Sequence, residues 1–242
     1  MSKLYECLSS YDSILISSRP GMGNSTLAVN FIASFLEKSE KRVVVFGLKY
    51  GCEGNQLSGD FYNTRLHCRI SGESFCDLMG DYENRGAREL SFNHRRVVNK
   101  RAVLYTPNDI YSGVMNNTNV GLVVIDAPFV YDELLKEPLA LCELCDVICW
   151  LRSRGIKLVV CEYLSREVEV RKPSIPVAQD FGERGKLFDT IISLHRARYH
   201  TLHEDVTVSE ALLFEPTSDE PYEVPVDFDY EHQAVTEKTI LQ

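Results

Sequence analysis

The stretch Ser18-Arg-Pro-Gly-Met-Gly-Asn-Ser-Thr26 contains the residue types of a phosphate-binding loop. It joins a short apolar run to an amphipathic helical pattern, and small residues in such a turn let backbone N–H groups point inward at an anion. The N-terminus of the following helix adds positive potential. We therefore predict that the phosphates of a nucleotide contact Ser18, Arg19, Pro20, Gly21, Met22, Gly23, Asn24, Ser25 and Thr26.

One position of this loop lacks the expected charge. The general pattern GxxxxGK[ST] aligns Gly23 with its second glycine, Asn24 with its lysine and Ser25 with the hydroxyl that binds magnesium, while Ser18 replaces the first glycine. A neutral asparagine cannot supply a cation to the β and γ phosphates. Taken alone the pattern is weak, because a glycine-rich turn before a helix is often only a turn.

The elements that must position this loop alternate along the chain. Apolar runs without polar alternation are typical of strands covered on both faces. They predict strands at Ser13–Ser17, Arg42–Leu48, Gly121–Asp126, Ile156–Cys161 and Thr190–Leu194, with a weaker candidate at Ala102–Tyr105. Helical patterns cover Leu27–Leu36 and Asp132–Arg154. This order predicts an α/β fold with a mainly parallel central sheet and helices on both faces.

Composition is that of an ordinary globular α/β domain, with 242 residues, 44% hydrophobic and 25% charged. No apolar stretch reaches the roughly 20 residues of a membrane-spanning helix. The segment Met1–Asp12 lacks the basic-then-apolar pattern of an export signal. We therefore expect a cytoplasmic protein without membrane contact, whose eight cysteines are reduced.

The acidity of the chain is concentrated at its end. Residues 215–242 hold eight acidic side chains and one lysine, so they carry most of the net charge of −9. This segment is rich in proline and acid and shows no amphipathic period, which predicts a mostly disordered tail after a domain spanning 1–214. Its Tyr222, Phe228 and Tyr230 could dock on a protein partner; the other interpretation is a solvated tail.

Five segments, taken in order, resemble the ATPase domain of DnaB-type replicative helicases. SSRPGMGNSTLAVNFIA is similar to the Walker A segment A-R-P-x-M-G-K-T-T-x-A-x-N, and GLVVIDAPF to the Walker B strand. VVVFGLKYGCEGNQL…TRL, KLVVCEYLSREVEVRKP and FDTIISLHRARYH resemble the family's L-E-M, S-Q-L-S-R and R-x-x-Y-Y segments. The resemblance spans about Asp12–His200. It implies a RecA-like P-loop fold and ATP with magnesium, the metal being held by Ser25 and Asp126.

The departures from the family fall at positions with a chemical role. Asn24 replaces the Walker A lysine, Lys49 the water-activating glutamate, and Tyr163, beside Glu162, the glutamine that senses the γ-phosphate. The K-x-R-x-G segment that supplies a finger to a neighbouring subunit is not found in Glu204–Phe214. Because phosphoryl transfer depends on positioning and charge stabilisation, we predict a pseudo-ATPase that binds ATP without efficient hydrolysis. Such a protein would be an accessory or regulatory factor linked to DNA replication or a mobile element.

The function of Lys49 has two interpretations. As a flexible point charge, it could provide near the γ-phosphate the cation that the loop has lost. It could equally reflect drift at an inactive site, with its side chain in solvent or paired with Asp126. A different functional class also remains open, in which the chain is an active but deviant ATP-dependent DNA helicase or NTPase that uses Lys49 as cation and Glu162 as carboxylate.

Two further groups of residues have a functional and a structural interpretation. Arg166, Arg171 and Lys172 match the part of the helicase family that leads into a DNA-binding loop, so they are candidates for single-stranded DNA, or simply a solvated basic face. Cys142, Cys145 and Cys149 include a CxxC pair, but without a second pair zinc is not expected. We expect these cysteines to be buried in the core.

Overall fold

The computed structural model describes residues 3–19, 21–48, 60–78, 95–102, 106–126, 141–164, 181–195, 209–214 and 221–238. Its helices are α1 (Lys3–Ser10), α2 (Asn24–Lys38), α3 (Asp60–Ser71), α4 (Pro107–Met115), α5 (Leu141–Arg152) and α6 (Gly182–Gly185). Its strands are β1 (Ser13–Ser18), β2 (Arg42–Leu48), β3 (Val97–Ala102), β4 (Val120–Asp126), β5 (Lys157–Tyr163), β6 (Thr190–His195), β7 (Ser209–Phe214), β8 (Tyr222–Asp229) and β9 (Ala234–Glu237).

The described strands form one sheet in the order β3-β2-β4-β5-β1-β6-β7-β8-β9. The strands from β3 across to β6 are parallel, and β7, β8 and β9 add to the β6 edge in antiparallel pairing. The predicted α/β fold with a mainly parallel sheet is therefore confirmed. Parallel order brings the carboxyl ends of β1, β4 and β5 to the same edge, where ligands bind in open α/β sheets.

The central strands are covered on both faces, which explains their uninterrupted apolar sequences. Every residue of β1 and β4 is buried. On one face α1 and α2 pack against the sheet around Phe31 and Ile32. On the other face α4 and α5 contribute Ile110 and Val147 to a second core. The phosphate loop therefore follows a strand that cannot shift without disturbing both cores.

Three predicted elements differ in extent from the structure. The weak strand expected at Ala102–Tyr105 is β3, Val97–Ala102, and residues 103–105 lie outside the described ranges. Its polar Asn99, Lys100 and Arg101 hide a strand because β3 lies at the edge of the described sheet. The described part of the helix expected over Asp132–Arg154 is Leu141–Arg152. The helix expected at Leu27–Leu36 is longer, since α2 begins at Asn24.

The prediction of a mostly disordered tail is wrong for residues 222–237. This segment forms β8 and β9, which extend the sheet beyond β7. Val224 and Val226 are buried while Glu223 and Asp227 are exposed, so the strand alternates with a period of two residues. A segment without a helical period can still have the period of a strand, and here the acidic residues lie on the solvated face.

The expectation for the cysteines of α5 is also wrong. Cys142 and Cys149 are exposed and Cys145 is half-buried, so these thiols lie on the outer side of the helix. Apolar residues of α5, such as Leu144 and Ile148, form its buried face instead. Within the described residues no group of three or more metal-ligating side chains is arranged to hold a metal ion. None of the described helices has both the length and the apolar character needed to cross a membrane.

Candidate nucleotide site

The loop between β1 and α2 has the backbone geometry of a tight anion-binding turn. Gly21 and Gly23 have positive φ angles of 78° and 107°, which glycine adopts without strain. The loop is tied to the helix by the Leu27 N–H, which donates to the Gly23 carbonyl at 2.9 Å. The loop therefore directs the unsatisfied N–H groups of the first turn of α2 away from the sheet and towards its carboxyl edge. Pro20 lies outside the described residues.

Asn24 is held inside the protein by hydrogen bonds to two strands. Its Oδ1 accepts a hydrogen bond from the Ser18 hydroxyl, and its Nδ2 donates to the carbonyl of Glu162 at 2.7 Å. The residue is only 6% exposed. The amide therefore ties the end of β1 to the end of β5, at the position that resembles the Walker A lysine. This link is neutral and needs no bound anion to be satisfied.

Ser25 and Asp126 are brought together beneath the loop. The Ser25 hydroxyl is hydrogen-bonded to the carboxyl of Asp126, which ends β4 and is buried. Burial raises the pKa of Asp126, and the Ser25 hydroxyl, the Arg65 guanidinium and the Cys161 thiol oppose that rise. A hydroxyl and a carboxylate are ligands suited to Mg²⁺, so this pair fits the metal that the sequence predicts.

The end of β5 separates two of the other predicted residues. Glu162 is 8% exposed, whereas Tyr163 is 37% exposed and points to solvent. The Glu162 carboxyl lies 3.5 Å from the guanidinium of Arg184 in α6. Burial raises the pKa of Glu162 to about 7, with Arg184 and the Ser17 hydroxyl opposing the rise. Of the two side chains, only Glu162 is enclosed near the loop.

Several of the predicted site residues lie outside the described ranges. They are Pro20, Lys49, Arg166, Arg171 and Lys172. Their functional assignments therefore stay predictions. The described loop residues Ser18, Gly23, Asn24 and Ser25 and the distant Asp126 are grouped as expected. Arg19 and Gly21 lie in the loop between them, Met22 is buried, and Thr26 lies in the first turn of α2.

Sequence reasoning missed the contribution of the last two strands to this site. A Cβ atom added at Gly23 would lie 2.7 Å from the Phe228 ring of β8, so that ring packs directly on the loop. Asn30 of α2 donates to the Gln233 carbonyl at 2.7 Å and accepts from the Val235 N–H at 3.2 Å. The signal that could have revealed this contact is the alternation of Val224, Val226 and Phe228 in the sequence.

Comparison with known proteins finds no matching family model. The replicative DNA helicase DnaB of Buchnera aphidicola subsp. Baizongia pistaciae (strain Bp) is 23% identical over 217 residues, covering 81% of this chain and 44% of that protein. The chain thus spans less than half the length of that relative.

Solved structures give a closer likeness in fold than in sequence. The ATPase domain of a DnaB-like helicase superposes with a TM-score of 0.70 at 15% identity, covering 94% of this chain and 85% of that one. A DnaB-like replicative helicase, solved with its interactions with primase, gives 0.67 at 16% identity, covering 93% and 58%. The RadB recombinase gives 0.60 at 15% identity, covering 97% and 96%. The resemblance in ordered sequence segments and the likeness in fold agree.

Proposed function

We propose that this DnaB-type RecA-like domain binds ATP without hydrolysing it efficiently, as an accessory or regulatory factor in DNA replication or in a mobile element. The observation that carries the proposal is the buried amide of Asn24, which stands at the lysine position and is satisfied by Ser18 and the Glu162 carbonyl. A neutral group there cannot follow the charge that develops on the γ-phosphate during transfer.

Nucleotide binding is supported by what the loop keeps. Backbone N–H groups at the start of α2 provide anion contacts that do not depend on the lysine. Ser25 and Asp126 are already in contact and would hold Mg²⁺, which neutralises phosphate charge when bound. The glycine conformations at 21 and 23 keep side chains out of the space that phosphates would occupy.

The lack of hydrolysis is supported by the roles of the two carboxylates near the loop. Asp126 is engaged with Ser25, and Glu162 is buried against Arg184. Neither carboxylate has the free, solvent-facing position from which a base could activate a water. Lys49 occupies the position of the family's catalytic glutamate and cannot act as a base while it is protonated.

A phosphate-release assay tests the proposal directly. Stability of the protein should rise when ATP and Mg²⁺ are added, because a ligand that binds the folded state stabilises it. Phosphate release should not exceed that of the matched variant Asp126→Ala, with or without single-stranded DNA. Sustained release stimulated by DNA would overturn the pseudo-ATPase proposal and favour the alternative, an active NTPase that uses Lys49 and Glu162.

Lys49 is proposed as the substitute cation for the loop. One charge-assisted contact in a partly desolvated site is worth roughly 1.5–3 kcal/mol, or about a 10- to 150-fold change in affinity. Lys49→Ala should weaken ATP binding by that factor and ADP binding by less, as measured by calorimetry. Asn24→Lys should strengthen binding without restoring hydrolysis. ATP binding by Lys49→Ala as tight as in the unmodified protein would assign Lys49 to drift.

Macromolecular partners are proposed on separate grounds. Exposed Tyr222 and Tyr230 lie on the acidic strand and turn of the C-terminal segment, which could contact a protein partner with a basic surface. Arg166, Arg171 and Lys172 are proposed to contact the phosphates of single-stranded DNA. Neutralising these three cations should remove salt-dependent DNA binding, and unchanged binding would exclude them.

A further inference from the structure

Three buried oxygen atoms lie in a row on adjacent strands beneath the phosphate loop. They are Oε2 of Glu162 in β5, Oγ of Ser17 in β1 and Oγ of Ser193 in β6, and none makes a well-formed hydrogen bond within the described structure. Ser17 is in register with Glu162, and Ser193 follows Ile192, whose partner Ile16 precedes Ser17. Neighbouring strands are about 4.8 Å apart, so the three side chains are neighbours.

The row lies on the face of the sheet opposite α2. Leu15 and Val160 belong to the core under α4 and α5, and side chains two residues further along a strand point to the same face. Ser17 and Glu162 therefore share that face, while Asp126 and its partner Cys161 lie on the α2 face. The three residues are at most 8% exposed, so their unmet hydrogen bonds are not supplied by bulk water.

The row is linked to the phosphate loop through two direct connections. Ser17 precedes Ser18, whose hydroxyl donates to Asn24, and the Glu162 carbonyl accepts from Asn24 Nδ2 at 2.7 Å. An anion bound by the loop would therefore lie close to the Glu162 carboxyl, with the neutral Asn24 between them. If Glu162 were ionised, the two negative charges would repel each other through a medium of low dielectric constant.

We propose that the phosphate loop binds its anion together with one proton, which is taken from solvent and held by the carboxyl of Glu162. This proposal rests on the proposed function, since it requires that a nucleotide binds. Neutralising a nearby carboxylate has the same electrostatic sign as restoring a cation, so the proton offsets part of the charge lost with the Walker A lysine. The added O–H also gives the row a hydrogen-bond donor.

The charges around Glu162 make this exchange feasible near neutral pH. Burial raises the pKa of Glu162 to about 7, and Arg184 from α6 and Ser17 from β1 oppose the rise. The other titratable groups described beside it are Cys161 and, on the far side of that thiol, Asp126. A phosphate anion arriving at the loop adds negative potential, which shifts Glu162 further towards its protonated form.

Calorimetry of MgATP binding at pH 7, in two buffers that differ in ionisation enthalpy, measures the proton directly. The unmodified protein should take up a substantial fraction of a proton, and its affinity should fall roughly tenfold or more between pH 6 and pH 8.5. Glu162→Gln should take up no proton, and its affinity at pH 8.5 should match that of the unmodified protein at pH 6. The matched control Glu183→Gln, an exposed carboxylate beside Arg184, should behave like the unmodified protein.

The possible failures are distinguishable. Nucleotide binding without proton uptake, or the same pH dependence in Glu162→Gln, would overturn this proposal and leave the proposed function standing. No binding of MgATP by any of the three proteins between pH 6 and pH 8.5 would overturn both. The buffer comparison needs only the unmodified protein, so it decides the question even if Glu162→Gln does not fold.

Discussion

The two faces of the sheet differ in how their polar groups are satisfied at the carboxyl edge. On the α2 face, Asn24 and Asn30 use their amide groups fully, in hydrogen bonds to β1, β5 and the C-terminal strands. On the opposite face, Glu162, Ser17 and Ser193 each have a buried oxygen without a well-formed partner in the described part of the chain. The lost lysine has therefore been replaced by a static neutral network on one face, while sensitivity to protons is concentrated on the other.

The largest expected effect comes from breaking the network of the α2 face at Asn30. This residue is fully buried and also donates to the Thr26 carbonyl at 2.8 Å and accepts from Arg69 Nε at 2.6 Å. Asn30→Ala leaves several buried polar groups unpaired, including a guanidinium. We expect a loss of about 3–5 kcal/mol in the free energy of unfolding, measured by urea denaturation.

The matched control for this prediction is Asn117→Ala. The Asn117 side chain is half-buried and donates one hydrogen bond, to the Gly113 carbonyl at 2.7 Å. Its removal should cost about 1 kcal/mol, because water can replace the lost bond. If the two variants lose similar stability, the network around Asn30 does not anchor β9 to α2.

A smaller effect is expected at the contact between the loop and β8. Gly23→Ala places a Cβ 2.7 Å from the Phe228 ring and at a φ of 107°, so both sterics and backbone strain oppose it. We expect a loss of about 2–4 kcal/mol, measured by thermal or urea unfolding. Gly155→Ala, at a φ of 62° with open space around it, should lose only about 1 kcal/mol.

A double variant separates the two causes at Gly23. Phe228→Leu combined with Gly23→Ala should recover the steric part of the loss and leave the backbone part. Additive losses from the two substitutions would show that Phe228 does not press on the loop, and would weaken the view that the C-terminal strands complete the site.

The α2 face is the more predictable of the two from sequence. Buried strands such as Arg42–Leu48 and Val120–Asp126 are apolar throughout, and the loop residues follow a strand of the same kind at a fixed spacing. Local sequence is sufficient there because the strand, the glycines and the helix start are adjacent in the chain. The pairing of Ser25 with Asp126 needs the resemblance to a known family, since about a hundred residues separate them.

The C-terminal strands and the opposite face are not predictable in this way. Strand β8 is stabilised by pairing with β7 and β9, and without that pairing its acidic residues suggest a solvated chain. The burial of Glu162 depends on Ser17 and Arg184, which come from distant parts of the sequence. A carboxylate at the end of an apolar strand is usually exposed, so no local pattern indicates this exception.

The smallest expected effect tests the proton sensitivity of the opposite face through stability alone. The folded-state pKa of Glu162 is about 7, above the ordinary value of 4.5. Between these values the folded protein binds more protons than the unfolded chain, so its stability falls as pH rises through this window. Glu162→Gln resembles the neutral acid and cannot ionise. It should therefore match the unmodified protein near pH 5 and exceed its free energy of unfolding by about 1–3 kcal/mol near pH 8. The control Glu183→Gln, whose side chain is 71% exposed, should change stability by less than about 0.5 kcal/mol at both pH values. Urea unfolding at the two pH values measures the difference. A Glu162→Gln variant that is less stable than the unmodified protein at pH 8 would show that the ionised carboxylate is stabilised by Arg184. The two faces would then be equally well satisfied.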